Sequence, residues 1–173
     1  MPIYQSGLLV SRRRAIPGEE NRWVSIVNEE PRAGGKAPAM RPSEAPIEEV
    51  LDRAVGPRRD EADELVALLG EISGHRPVVW AGRMIGFGEY EYRYASGHGG
   101  RAPELAFAPG PKNHTIYLVS DFATQWPDLI DRLGKCRVAK SCLHVTRLRD
   151  VDHAVLTTLL ERSLAQTRSS HGG

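Results

Sequence analysis

Acidic side chains are concentrated in residues 44–71, where nine Asp and Glu stand against three Arg. Hydrophobic residues recur there at helical spacing, which places the acids on helix surfaces. Glu48 and Asp52 are then i,i+4 neighbours. The same spacing separates Asp60 from Glu64. Carboxylates suit hard or borderline metals such as iron. The candidate metal ligands are Glu48, Glu49, Asp52, Asp60 and Glu64, unless these helix faces only meet solvent.

The stretch GKCRVAKS, Gly134 to Ser141, is close to the phosphate-binding pattern G-x-x-x-x-G-K-[ST], with Ala139 replacing the second glycine. A true phosphate-binding loop follows a strand and opens a helix, whose N-terminus holds the phosphates. Here a helical segment precedes the loop and the strand-like SCLHV follows it, so we expect no nucleoside triphosphate site. Two alternatives stay open: an exposed helix-to-strand turn, or an anion-binding patch that uses Lys135, Lys140 and Ser141.

Tyrosines alternate with charged residues in EYEYRY, which predicts a strand with Tyr90, Tyr92 and Tyr94 on one face. Aromatic side chains on a sheet can stack against a ligand. The same pattern also fits a core-facing strand whose hydroxyls reach the edge of the core. The ligand-binding alternative comprises Trp80, Tyr92, Tyr94 and Lys112 together with the loop residues.

Nucleophiles and histidines form no recognisable catalytic pattern in the chain. The six histidines include neither an HxH nor an HExxH spacing. Cys142 stands two residues after Lys140, and a nearby cation can activate a thiol. However, Cys142 falls within a predicted strand, where thiols are usually buried and unreactive. We therefore expect a binding protein rather than an enzyme.

The elements that must position these residues follow from hydrophobic period and from turn residues. Helices are predicted in SEAPIEEVLDRAV, DEADELVALLGEISG, QWPDLIDRLG and VDHAVLTTLLERSLAQ, the last capped by Asp150. Strands are predicted in PVVW, GFGEYEYRYASG, LAFAP, HTIYLV and SCLHV, with GPKN as a turn. This order predicts an α+β fold of two layers, with a mostly antiparallel sheet and helices packed on one face.

Composition indicates the domain limits, the classes of partner and the cellular location. Residues 1–43 are rich in Pro, Gly and charge, which predicts a flexible tail; 44–166 form the domain, and 167–173 are expected to fray. A net charge of +1 argues against a specific nucleic-acid partner. No apolar run approaches the ~20 residues of a membrane span. Two cysteines and the lack of an export signal predict a cytoplasmic protein.

Several segments, in order, resemble the YdhG-like family of bacterial domains of unknown function. They are WAGRMIGFGEYEYRYASG, LAFAPGPKNHTIYLVSDF and LIDRLGKCRVAKSCLHVTRLRDVDHAVLTTLLERSL. The resemblance covers residues 47–165 and implies a frataxin-like fold. Family members usually have glycine where Ala139 stands, which implies that the loop is unrelated to ATP. Some relatives are described as iron chaperones, so the resemblance also implies iron handling.

The sequence therefore predicts a non-enzymatic binding protein whose partner is a metal ion or a small molecule. Metal handling, with iron as the metal, uses the acidic helices; no other cofactor is indicated. The alternative is a module for a small anionic ligand, which uses the tyrosine strand and the loop from Lys135 to Lys140. The oligomeric state does not follow from the sequence.

Overall fold

A computed structural model describes residues 40–171 of the chain. Its helices are α1 (Glu48–Leu51), α2 (Pro57–Ser73), α3 (Phe122–Gln125), α4 (Pro127–Leu133) and α5 (His153–His171). Its strands are β1 (Pro42–Ser43), β2 (Pro77–Trp80), β3 (Met84–Phe87), β4 (Tyr90–Arg93), β5 (Gly99–Ala102), β6 (Leu105–Ala108), β7 (His114–Tyr117), β8 (Arg137–Val138) and β9 (Cys142–Val145). The α+β class is confirmed.

Seven of these strands form one sheet in the order β1-β2-β3-β6-β7-β9-β8, and every neighbouring pair is antiparallel. The register pairs Ile85 with Phe107 and Phe107 with Ile116, so large apolar side chains line up across the central strands. The predicted antiparallel sheet is therefore confirmed. Strands β4 and β5 form a separate two-stranded ribbon.

The core lies between one face of the sheet and the helices α2 and α5, which pack against each other. Alternate residues of each strand point to this face, because side chains of a strand alternate between its two sides. The helices contribute leucines at helical spacing, including Leu65 and Leu69 from α2 and Leu156 and Leu160 from α5. Among residues 40–171, no helix combines the length and the apolar character needed to cross a membrane.

Helix α5 begins and ends at different residues from those expected. The Asp152 carboxylate, not that of Asp150, accepts a hydrogen bond from the Val155 backbone amide at 3.0 Å; Asp150 lies in the preceding 3-10 turn. The helix continues to His171, so residues 167–171 are not the frayed end that the sequence suggested. Thr167 is buried there. The local sequence does not reveal this burial, because it depends on tertiary packing.

The tail boundary at residue 43 also shifts. Pro42 and Ser43 pair with Trp80 and Val79 as the edge strand β1, so the ordered domain includes them. The rest of the predicted tail, residues 1–39, lies outside the described residues. The glycine-rich stretch after β4 contains β5, whose Gly99 and Gly100 pair with Arg93 and Tyr92 of β4.

Candidate functional site

A cavity of about 240 Å³ opens at the end of the sheet where β6 begins and β7 ends. The C-terminal half of α5 forms one wall, and the first residue of β4 closes one side. Polar side chains dominate the lining, which is unusual beside a core of leucines. The lining residues are Tyr90, Pro103, Glu104, Ala106, Tyr117, Leu118, Val119, Ser120, Ser163, Gln166, Thr167, Ser170 and His171.

The α5 wall arises from a change of residue size along one helix face. Leu156 and Leu160 fill the core, but the same face continues with Ser163, Thr167 and Ser170. The Ser163 hydroxyl accepts a hydrogen bond from the Val119 amide at 3.0 Å, which fixes the helix to the segment after β7. Small polar side chains occupy less volume than leucines would, and the cavity is the space that they leave.

Glu104 stands in the lining with its charge already matched. Both of its carboxylate oxygens accept hydrogen bonds from Arg168, the shortest being 2.8 Å from Nη2 to Oε2. Arg168 Nη2 also donates to the Ser73 carbonyl, which ties α5 to the end of α2. The hydrogen bond to Glu104 raises the pKa of the Arg168 guanidinium. His75 Nε2 lies 3.6 Å from Glu104 Oε2 on the outer side.

Tyr90 and His171 both line the cavity, and their rings are in contact, with centroids 4.3 Å apart. Burial, with smaller effects from Tyr92 and Tyr94, raises the pKa of the Tyr90 phenol, so it stays protonated and can donate a hydrogen bond. His171 Nδ1 lies 3.0 Å from the Thr167 carbonyl oxygen. Because a carbonyl can only accept, Nδ1 carries a proton, and Nε2 of a neutral His171 is an acceptor.

The aromatic residues of the predicted ligand site do not line this cavity. Trp80 is buried, with its indole packed so closely over Gly86 that a Cβ there would lie 2.5 Å from Cδ1. Tyr92 and Tyr94 follow Tyr90 along the ribbon, away from the cavity, with their rings 5.3 Å apart. Tyr94 is exposed. The tyrosine strand is therefore part of the two-stranded ribbon and not of the main sheet.

The cations of the predicted anion patch are spread out. Lys140 and Ser141 occupy the tip of the hairpin between β8 and β9, where the Ala139 amide donates to the Cys142 carbonyl. Lys135 lies at the base of this hairpin, with its amide bonded to the Asp150 carbonyl. About 15 Å of extended chain separates the two lysines. Lys112 precedes β7, whereas Lys140 contacts Asp121 after it, so β7 separates that pair.

Ser141 is the member of the predicted set that approaches the cavity. It is buried, and its hydroxyl lies 3.1 Å from the hydroxyl of the lining residue Ser120. Strand β9 follows Ser141 directly, as expected, so the stretch from Gly134 to Ser141 does not open a helix. The geometry of a phosphate-binding loop is therefore missing at this place.

The predicted metal ligands are all exposed on α1, α2 and the turn between them. Asp52 follows the end of the short helix α1 and pairs with Arg59 Nε at 3.0 Å. Asp60 lies in the first turn of α2, which begins at Pro57 rather than at Asp60. Within residues 40–171, no three His, Cys, Asp or Glu side chains come together as a metal site. The residues are Glu48, Glu49, Asp52, Asp60 and Glu64.

A second polar cluster, which the sequence did not indicate, is enclosed where α2 meets the start of β7. Glu61 Oε1 accepts a hydrogen bond of 2.9 Å from Arg147 Nε, and its Oε2 lies 3.6 Å from His114 Nε2. Neither ring nitrogen of His114 has a hydrogen-bond partner among residues 40–171. Burial lowers the pKa of His114, although Glu61 opposes that shift, so the ring is neutral at pH 7.

One signal for the cavity was present in the sequence. Ser163, Thr167 and Ser170 continue the helical spacing of the leucines in the last helix. A helix that was buried along its whole length would carry larger residues at these positions. The pairing of Glu104 with Arg168 had no such signal, because 64 positions separate the two residues.

Comparisons of the chain with protein-family models, curated proteins and solved structures give no match. The resemblance to the YdhG-like family therefore stays a prediction.

Proposed function

We propose that this protein binds a small polar molecule in the cavity beneath the C-terminal half of α5, without converting it. The observation that carries the proposal is the polar lining of a space that apolar side chains could have filled. A core position occupied by Ser163 or Thr167 gives up hydrophobic burial, and the polar groups placed there instead can hydrogen-bond a ligand.

The cavity also has the features of a preformed site. One wall is fixed by the hydrogen bond from Val119 to Ser163, and another by the three contacts between Glu104 and Arg168. Residues held in this way lose little freedom when a ligand arrives, which favours binding. The volume lies below the ~300–1,000 Å³ of drug-sized sites, so the ligand is small.

The lining supports a function in which the ligand is bound but not chemically changed. The cavity contains hydroxyls, an amide and a carboxylate but no thiol or lysine that could act as a nucleophile. His171 is held through Nδ1 by a main-chain carbonyl rather than by a carboxylate that would strengthen it as a base.

Metal handling has weaker support than ligand binding. Asp52 is engaged by Arg59, and the other expected ligands lie exposed on α1 and α2. The wider assignment, a cytoplasmic YdhG-like domain with a frataxin-like fold, is part of the proposal and rests on the quoted segments. The antiparallel sheet, with helices against one face, is compatible with it.

The test is a screen of sugars, nucleosides, amino acids and small carboxylic acids by NMR, with backbone amides of the ¹⁵N-labelled protein as the readout. We expect at least one compound to shift the amides of Val119, Ser120 and Ser170 together. The variant Ser170→Phe places a ring over the cavity and should abolish those shifts. The compound should be recovered unchanged.

Ser169→Phe is the matched control, because Ser169 is the neighbour of Ser170 on α5 and is likewise exposed, but does not line the cavity. It should bind as the unmodified protein does. Shifts that lie elsewhere and survive Ser170→Phe, or a screen without any binder, would refute the proposal.

A further inference from the structure

The lining of the cavity selects a ligand class. We propose that the cavity takes a neutral, hydroxyl-rich molecule of monosaccharide size, with Glu104 as an acceptor for its hydroxyls. This inference rests on the proposed function, since it names the ligand of the same site.

Charge in and around the cavity disfavours an ionic ligand. Glu104 and Arg168 neutralise each other through hydrogen bonds of 2.8–3.2 Å. The lining contains no lysine or arginine, so an anion would meet a carboxylate without a free cation to offset it. A cation would meet Glu104 only in competition with Arg168, which already lies on both of its oxygens.

Hydrogen-bonding groups of the lining match hydroxyls better than any other polar group. Ser120, Ser163, Thr167 and Ser170 carry hydroxyls. The Thr167 hydroxyl donates to the Ser163 carbonyl at 3.0 Å and is left to accept from a ligand, whereas the Ser163 hydroxyl accepts from the Val119 amide and is left to donate. Glu104 Oε1 receives one contact from Arg168, at 3.2 Å, and a carboxylate oxygen has capacity for a second donor. A ligand with several adjacent hydroxyls can use these groups at the same time.

Aromatic rings complete the match to a cyclic polyol. Tyr90 and Tyr117 both line the cavity. Tyrosine presents an apolar ring face together with a polar tip, and the C–H face of a sugar ring packs on such a surface. The protonated Tyr90 phenol adds a donor, and Nε2 of a neutral His171 adds an acceptor.

Matched probes test the class directly. Glucose and myo-inositol are neutral, glucuronate adds a negative charge, glucosamine adds a positive charge, and maltose exceeds the cavity. Titrations followed by amide shifts of Val119 and Ser170 should show glucose or inositol binding at least tenfold more tightly than either charged sugar. Maltose should not bind. Ser170→Phe should abolish binding of the neutral probes.

The substitution Glu104→Gln should change the preference between charged and neutral sugars, which a nonspecific site would not show. It removes the carboxylate and leaves the Arg168 guanidinium without its counter-charge, so the glucuronate-to-glucose affinity ratio should rise at least tenfold. Glu161→Gln, which removes an exposed carboxylate on the same helix, should leave the ratio unchanged. Thermal unfolding of each variant verifies that it is folded at the titration temperature.

The outcomes separate the ligand class from the binding function. If a charged probe binds more tightly than the neutral sugars and Ser170→Phe abolishes its binding, the cavity binds ligands but the proposed class is wrong. If no probe of the panel or of the wider screen binds at the cavity, both proposals fail. An unchanged ratio in Glu104→Gln would also overturn the role given to Glu104.

Discussion

Two clusters of the same three residue types lie in different surroundings. Glu61 contacts His114 and Arg147, while Glu104 contacts His75 and Arg168. The distances nearly coincide: both histidine nitrogens lie 3.6 Å from a carboxylate oxygen, and the nearest arginine contacts are 2.9 and 2.8 Å. The His114 side chain is 0% exposed, whereas that of His75 is 50% exposed.

Burial, not contact geometry, therefore separates the two clusters. The enclosed cluster, Glu61–His114–Arg147, holds polar atoms where water does not compete, so each missing partner is costly. The cavity cluster, His75–Glu104–Arg168, is partly hydrated, which weakens its ion pair but leaves Glu104 able to meet a ligand. The first cluster suits a structural role, and the second is compatible with the binding role proposed for the cavity.

Glu61→Gln should have the largest effect of the substitutions that compare the clusters. The amide keeps the shape of the side chain but removes the charge that balances Arg147, and breaking a buried pair is strongly destabilising. Because Arg147 is partly exposed, we expect a loss of about 2–3 kcal/mol in the free energy of unfolding. Urea denaturation measures it, and a loss below about 1 kcal/mol would show that the enclosed cluster is well hydrated.

Acid should destabilise the protein through His114. Burial lowers the pKa of His114 in the folded chain below the ordinary value of 6.5, so the unfolded chain binds the proton more readily. The stability linked to a neutral His114 is full above pH 6.5 and falls as the pH drops toward the folded-state pKa. One proton gives a slope of up to about 1.4 kcal/mol per pH unit.

Urea midpoints between pH 7.5 and 5 test this dependence. His114→Gln should flatten the slope below pH 6.5, whereas His75→Gln leaves the enclosed cluster intact and should retain it. Equal slopes in the unmodified protein and in His114→Gln would contradict the assignment to His114.

Arg168→Ala should cost less than the change at Glu61. It removes the ion pair with Glu104 and the hydrogen bond to the Ser73 carbonyl, but the Arg168 side chain is 44% exposed and water replaces part of both contacts. We expect a loss of about 1 kcal/mol in the free energy of unfolding. A loss as large as that of Glu61→Gln would mean that both clusters are equally buried in solution.

Asp52→Asn should have the smallest effect. Asp52 is exposed, and its partner Arg59 keeps a second ion pair with Asp63 at 2.5 Å. The expected loss in the free energy of unfolding is below about 0.5 kcal/mol. Thermal unfolding at low and high salt checks this value, and a loss above about 1 kcal/mol would indicate that the pairs around Arg59 act as a network.

Local pattern was sufficient for several elements of this protein. The patterns in LAFAP and HTIYLV correctly predicted β6 and β7, with GPKN as the turn between them. The pattern in SCLHV correctly predicted β9. The leucine spacing after Asp152 gave α5. The strand after Ser141 was enough to argue against a phosphate-binding loop. These features depend on neighbours within a few positions, and hydrophobic period reports such neighbours directly.

The pairing of the ribbon could not be predicted from local pattern, for an identifiable reason. The EYEYRY alternation correctly predicted a strand, but only packing decided that β4 pairs with the glycine-rich β5 and not with the main sheet. Gly99 and Gly100 offer no side-chain period to read. The resemblance to a known family could not predict how Gly99 and Gly100 pair either, because it rests on matching sequence segments and not on contacts between strands.

The sequence by itself determined the α+β class, the amphipathic helices and the concentration of acidic residues in 44–71, because each depends on residue type and short-range spacing. Tertiary structure alone decided which charges meet. Arg147 reaches Glu61 across 86 positions, and Arg168 reaches Glu104 across 64. Such a meeting depends on strand register and on how α5 lies over the sheet, and burial at the meeting point then decides whether a Glu–His–Arg cluster stabilises the fold or remains open to a ligand.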